Sequence, residues 1–178
     1  MNSPGLILGY HGCDAKLARE LVLGETKLRP SINGHDWLGE GIYFWSHDPT
    51  RAGEWAGSKP HQPAVIGAVT DVGRCLNLAE RASVEWVGTA HTHLKKLLDD
   101  QGRADEMPVN QGGRRVLDNK VMETLHLLRA ERNLPAFDTV IGYFAEGSPI
   151  YEGAELRHQN HLQICVRDHA AVLGYFLP

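Results

Sequence analysis

Gly39-Glu40-Gly41-Ile42-Tyr43-Phe44 is the stretch on which the reading of this chain turns. Its two glycines favour a turn, and the apolar and aromatic run over residues 41–45 has the character of a strand. The segment before it, residues 28–40, carries Pro30, Asn33, Gly34 and Asp36, so a flexible loop is expected to deliver the chain into an aromatic strand. Side chains alternate along a strand, so Tyr43 and Phe44 face opposite sides, one toward a core and one toward a cleft.

Outward from that strand the pattern alternates between the two periods. Residues 5–11 read as a short buried strand, and Asp14 caps a helix over 15–23 that Gly24 closes. Asp48 and Pro49 start a helix over 50–56, and 64–72 is a β-type run ended by Gly73. Val84, Val87, Leu94 and Leu98 recur at helical spacing within 79–101, with Leu97 beside them in a core-facing stripe. Residues 101–117 hold Gly102, Pro108, Gly112 and Gly113 and read as a mobile loop. A second long helix over 119–134 turns Val121, Leu125 and Leu128 inward. Strands over 139–144, 161–166 and 172–177 finish the chain, with no internal repeat. The expected class is α+β: helices covering a split, mainly antiparallel sheet in one domain, residues 1–178.

Composition sets the outer bounds. The chain has 178 residues, 42% of them hydrophobic and 22% charged, which suits one globular core. Its net charge of -4 gives no general nucleic-acid footprint, although Arg114, Arg115 and Lys120 form a local basic stretch. Cys13, Cys75 and Cys165 lack the spacing of a zinc or redox motif and are expected to be reduced thiols. His91, His93, His158 and His161 raise a metal reading, but His91 and His93 point to different sides of a helix, so no metal site is expected. Residues 1–12 lack the pattern of a secretory leader and no apolar run is long enough for a membrane span, so a cytoplasmic protein is expected.

Three strand-end segments carry the chemistry: Tyr10-His11-Gly12, the glycine-flanked strand above, and His161-Leu162-Gln163-Ile164. In this order, with Arg51-Ala52-Gly53-Glu54-Trp55 following the aromatic strand, they resemble the His-Tyr-Glu branch of ADP-ribosyltransferases, which includes the poly(ADP-ribose) polymerases. The resemblance covers the first third and the last tenth of the chain. It implies that fold, NAD as substrate, and His11, Tyr43 and Gln163 at the three catalytic positions. Breaking the nicotinamide–ribose bond passes through a ribose cation like that of glycoside hydrolysis, so the site must hold the leaving ring and tolerate developing positive charge.

Tyr43 and Trp55 could sandwich nicotinamide, at about 0.5–1.5 kcal/mol per aromatic pair. The Gly12 backbone could hold its carboxamide, because glycine lets the main chain approach closely. By the resemblance His11 orients a ribose, and Ser31 and Asn33 could reach a phosphate or ribose. Gln163 departs from the family's glutamate: its carbonyl oxygen can accept, but it brings no negative charge. Chain elongation is therefore not expected, and single transfer is. Glu155, Glu152 and Glu40 are the sequence-feasible helping carboxylates, Glu155 first because it lies just before the late strand. The acceptor is a macromolecule, protein, RNA or DNA. By analogy with toxins and defence effectors, an inhibitory partner protein is also expected. The alternatives are a non-catalytic NAD or ADP-ribose-binding module and an NAD glycohydrolase.

Overall fold

The computed structural model describes residues 5–178; the first four, part of the segment read for a leader, lie outside them. Strand β1 (Leu6–Asp14) runs directly into helix α1 (Ala15–Val22), because Asp14 accepts from the Lys16 amide at 2.8 Å and caps the helix. Gly24, at φ 72°, ends it. Strand β2 (Ile42–Ser46) is followed by α2 (Pro49–Gly57), capped by Asp48 with proline in its first turn. Then come β3 (Pro63–Asp71), β4 (Cys75–Asn77), α3 (Arg81–Asp100), α4 (Val116–Glu131), β5 (Thr139–Phe144), β6 (His161–Val166) and β7 (Val172–Phe176).

The class is mixed α+β, with a mainly antiparallel sheet of order β4-β5-β6-β2-β1-β3-β7 in which β4–β5 is the parallel pair. Where the sequence suggests a split sheet, all seven strands are joined, but unevenly. Nine residue pairs connect β1 to β3, whereas β1 meets β2 only at Gly9–Ser46 and Tyr10–Trp45. Beyond these the two strands diverge. His11 fills the opening, its Nδ1 bonded to the Tyr43 carbonyl at 2.8 Å.

Alternation along β2 divides the core. Ile42 and Phe44 pack with Ile66, Ile164, Val166 and the α1 residues Ala18 and Leu21; Tyr43 packs on the other cluster, with Leu94, Leu98, Val121, Leu125 and Cys165. The expected inward face of α3 needs correction. Val84 is 52% and Leu97 44% exposed, because the buried line is Ser83, Ala90, Leu94 and Leu98, and each of the other two sits one residue, about 100°, off it. Helix α4 starts three residues earlier than its pattern suggests, because Asn110 Oδ1 accepts from the amides of Leu117 and Asp118. Strand β4 had no sequence signal; its three residues are held by parallel pairing to β5. Among the described residues no helix is long and apolar enough to cross a membrane.

Candidate functional site

A cavity of about 390 Å³ opens where β1 and β2 part, within the usual range of about 300–1,000 Å³ for small-molecule sites. Sequence positions far apart converge on it: His11 from β1, Tyr43 and Trp45 from β2, Gln163 from β6, and Arg51 and Trp55 from α2. Ser31, Asn33, Asp36 and Trp37 come from the loop before β2, and Phe144 and Glu146 from the end of β5 and just beyond. Six of the seven residues assigned from the sequence to NAD binding therefore line one cavity.

Gly12, the seventh, lies outside the lining. A Cβ there would run into the Ala52 carbonyl and come within 3.1 Å of the Ala56 amide nitrogen, so its lack of a side chain lets α2 lie against β1. That close approach is also what brings Arg51 and Trp55 to the cavity.

The loop before β2 is firmly held. Ser31 and Gly41 exchange two backbone bonds, and Asn33 Nδ2 donates to Ser31 Oγ at 2.9 Å. Helix α4 grips the same loop: Asn119 Nδ2 donates to the Asp36 carbonyl, and Glu123 Oε1 accepts from the Glu40 amide at 2.7 Å and from Arg167. Burial alone would push the Glu123 carboxyl up, but these donors outweigh it and hold the group below its ordinary range.

Within the wall, hydrogen bonds fix which atoms face the cavity. The Tyr43 hydroxyl donates to the Gly39 carbonyl at 2.8 Å and accepts from the Leu38 amide at 3.0 Å; burial holds its proton on. A carbonyl only accepts, so His11 carries its proton on Nδ1 toward Tyr43 and presents Nε2 as an acceptor. Burial lowers the His11 pKa and keeps the ring neutral. Trp37 Nε1 donates to the Gln163 carbonyl oxygen at 2.5 Å. An indole has no acceptor, so the Gln163 amide is oriented with its oxygen on Trp37 and its NH2 turned away.

The structure corrects the sequence reading on the helping carboxylates. Glu40, Glu152 and Glu155 are all exposed and none lines the cavity, because the turn at Glu40 is drawn toward α4 and the β5–β6 connection carries the other two away. Glu146 is the glutamate that does line it. Arg51 donates through Nη2 to Glu146 Oε2 at 2.7 Å, brings Nη1 within 3.5 Å of Glu54 Oε2, and sets its guanidinium over Trp45 at 5.7 Å. His161 is buried beside them, its Nδ1 on the Gln159 carbonyl and 3.8 Å from Glu146. Arg51 was visible in the sequence only as part of the segment with Trp55; Glu146 had no signal, being in an irregular connection that matches no motif.

The histidines also set an acid limit on the fold. His126, on α4 beside Glu123, has a pKa lowered to about 4, first by burial and then by the Arg167 charge, with Glu123 opposing. The unfolded chain binds that proton at about pH 6.5 and the folded chain only near 4, so the unfolded state holds more protons between them. Stability is expected to be full above about pH 6.5 and to fall toward pH 4, by on the order of 3 kcal/mol from this group. Urea unfolding across that window checks it: the slope should flatten in His126→Gln, and an unchanged slope contradicts the assignment.

Comparison of the chain with protein-family models, with curated proteins and with solved structures returns no match in any of the three.

Proposed function

We propose that this is an ADP-ribosyltransferase-type domain that binds NAD, releases nicotinamide and passes a single ADP-ribosyl group to a macromolecule. The observation that carries the reading is convergence: His11, Tyr43 and Gln163, picked from three separate segments of sequence, line the same cavity together with Trp55, Ser31 and Asn33. The mixed α+β class, with a mainly antiparallel sheet most sparsely paired beside that cavity, supports the reading at the level of fold class. Each group has a matching task. His11 Nε2 accepts from a ribose hydroxyl, the faces of Trp55 and Tyr43 hold the nicotinamide ring, and the Gln163 amide donates to a ligand oxygen.

One feature favours a second reading, binding of NAD or ADP-ribose without turnover. The Tyr43 hydroxyl and the Gln163 oxygen are both already engaged within the chain. The two readings separate in one assay, in which NAD labelled on its adenylate is incubated with the protein and a cell extract. Transfer predicts released nicotinamide and label in one of the protein, RNA or DNA fractions, about 100-fold lower in Gln163→Ala, as for loss of a contact that orients the reacting group. Tight binding without release selects the second reading, and free ADP-ribose without any acceptor selects hydrolysis. A protein that neither binds NAD nor releases nicotinamide overturns the proposal.

A further inference from the structure

We infer that Glu146, from the connection after β5, is the catalytic carboxylate of this site, supplying the negative charge that the β6 position held by Gln163 does not; this rests on the transferase reading above. Trp37 already occupies one acceptor site of the Gln163 oxygen, so Gln163 offers a ligand its N–H donors and a shared, uncharged oxygen. An uncharged amide neither supplies the negative charge that stabilises a ribose cation nor takes a proton from an attacking nucleophile. A carboxylate does both, and the cavity lining holds two, Asp36 and Glu146. Asp36 turns Oδ2 into the wall, where it meets neither solvent nor a partner, and its carbonyl is spent on Asn119 and Gly39.

Glu146 is differently placed. Its side chain is 36% exposed, so it is both open to a ligand and held in one geometry by Arg51. Arg51 is shared with Glu54, so one cation faces two carboxylates and the set of three carries a net charge of about -1, one guanidinium against two carboxylates. Phe144 and Trp45 flank this cluster and lower the local dielectric, which strengthens its attraction for a cation. In the step proposed, the bond between the anomeric carbon and the nicotinamide nitrogen breaks, with its electron pair leaving on nicotinamide. The cation forms opposite Glu146. A lone pair of the acceptor then bonds to the carbon, and the acceptor's proton passes to the Glu146 carboxylate.

The test measures nicotinamide release at saturating NAD in the presence of the same cell extract as acceptor source, NAD affinity by calorimetry and melting temperature for the wild type and for Glu146→Gln, Glu146→Ala, Glu146→Asp and Asp36→Asn. The expected result is a kcat about 100-fold or more lower in Glu146→Gln with Kd within about threefold, as for other losses of transition-state electrostatics. Formate added to Glu146→Ala should restore part of kcat, which a merely structural ion pair would not allow. Glu146→Asp keeps the charge for Arg51 and serves as the folded reference should the neutral variants melt early; it is expected to retain more kcat than Glu146→Gln. Turnover in Glu146→Gln at the wild-type rate, a loss confined to Kd, or a loss of kcat in Asp36→Asn alone overturns the inference and leaves the transferase reading standing. Wild-type protein that binds NAD but releases no nicotinamide overturns both.

Discussion

Gly12→Val is expected to yield no stably folded protein, and Gly12→Ala a protein weakened by about 1–3 kcal/mol, the usual cost of overpacking a close contact. The obstacle is backbone: the first carbon added at Gly12 meets the Ala52 carbonyl and the Ala56 amide, neither of which can rotate away. Ala52 and Ala56 are themselves fully buried, so α2 cannot slide along the sheet to make room. It can only lift, and lifting carries Arg51 and Trp55 off the cavity. Gly12→Ala should therefore lose NAD affinity by at least about tenfold, about 1.4 kcal/mol, even where it folds. Denaturant unfolding and calorimetry check the pair. A stable Gly12→Val with intact binding would show that α2 is not seated as described.

Phe44→Ala is expected to cost about 3–5 kcal/mol, a large part of the roughly 5–15 kcal/mol that holds a domain of this kind. Phe44 is fully buried, and its ring lies against Gly9 so closely that a Cβ there would come within 2.6 Å of Phe44 Cβ. The same ring stands edge-on to His11 at 5.9 Å. Removing it leaves a hole in the core cluster under the point where β1 and β2 separate, and nothing rigid can collapse into it. The urea midpoint should fall with little change in slope. Tyr143→Ala, at a position 56% exposed on strand β5, should stay within about 0.5 kcal/mol and serves as the comparison. A loss below about 1 kcal/mol for Phe44→Ala would mean that this cluster does not hold the joint.

Much of the architecture was legible because it is local. β5 and β6 fall over residues 139–144 and 161–166 as their β-rich runs suggest, and the Asp14 and Asp48 caps start the helices where expected. β4 was not legible, since three residues carry no periodicity and its existence depends on β5, more than sixty residues on. The site divides in the same way. His11, Tyr43, Trp55 and Gln163 sit in segments whose character shows in one dimension, and they meet in three. The groups that decide how they act do not show, because their partners are distant: Trp37 and Gln163 are 126 residues apart, Arg51 and Glu146 95. No window of sequence reveals that an indole will take the oxygen of a glutamine, or that Glu146, and not Glu155, will reach the cavity.

The narrow joint between β1 and β2 has a thermal consequence. Nine main-chain pairs secure β1 to β3, but only two secure it to β2, so cohesion on that side comes chiefly from Phe44, Ile42 and their apolar neighbours. Apolar attraction is non-directional and weakens on cooling, whereas a hydrogen-bonded ladder keeps its register. The sheet is thus riveted on one side and held by apolar packing on the other, and the packed side borders the cavity: on cooling, the cohesion of that joint is expected to weaken before that of the β1–β3 ladder.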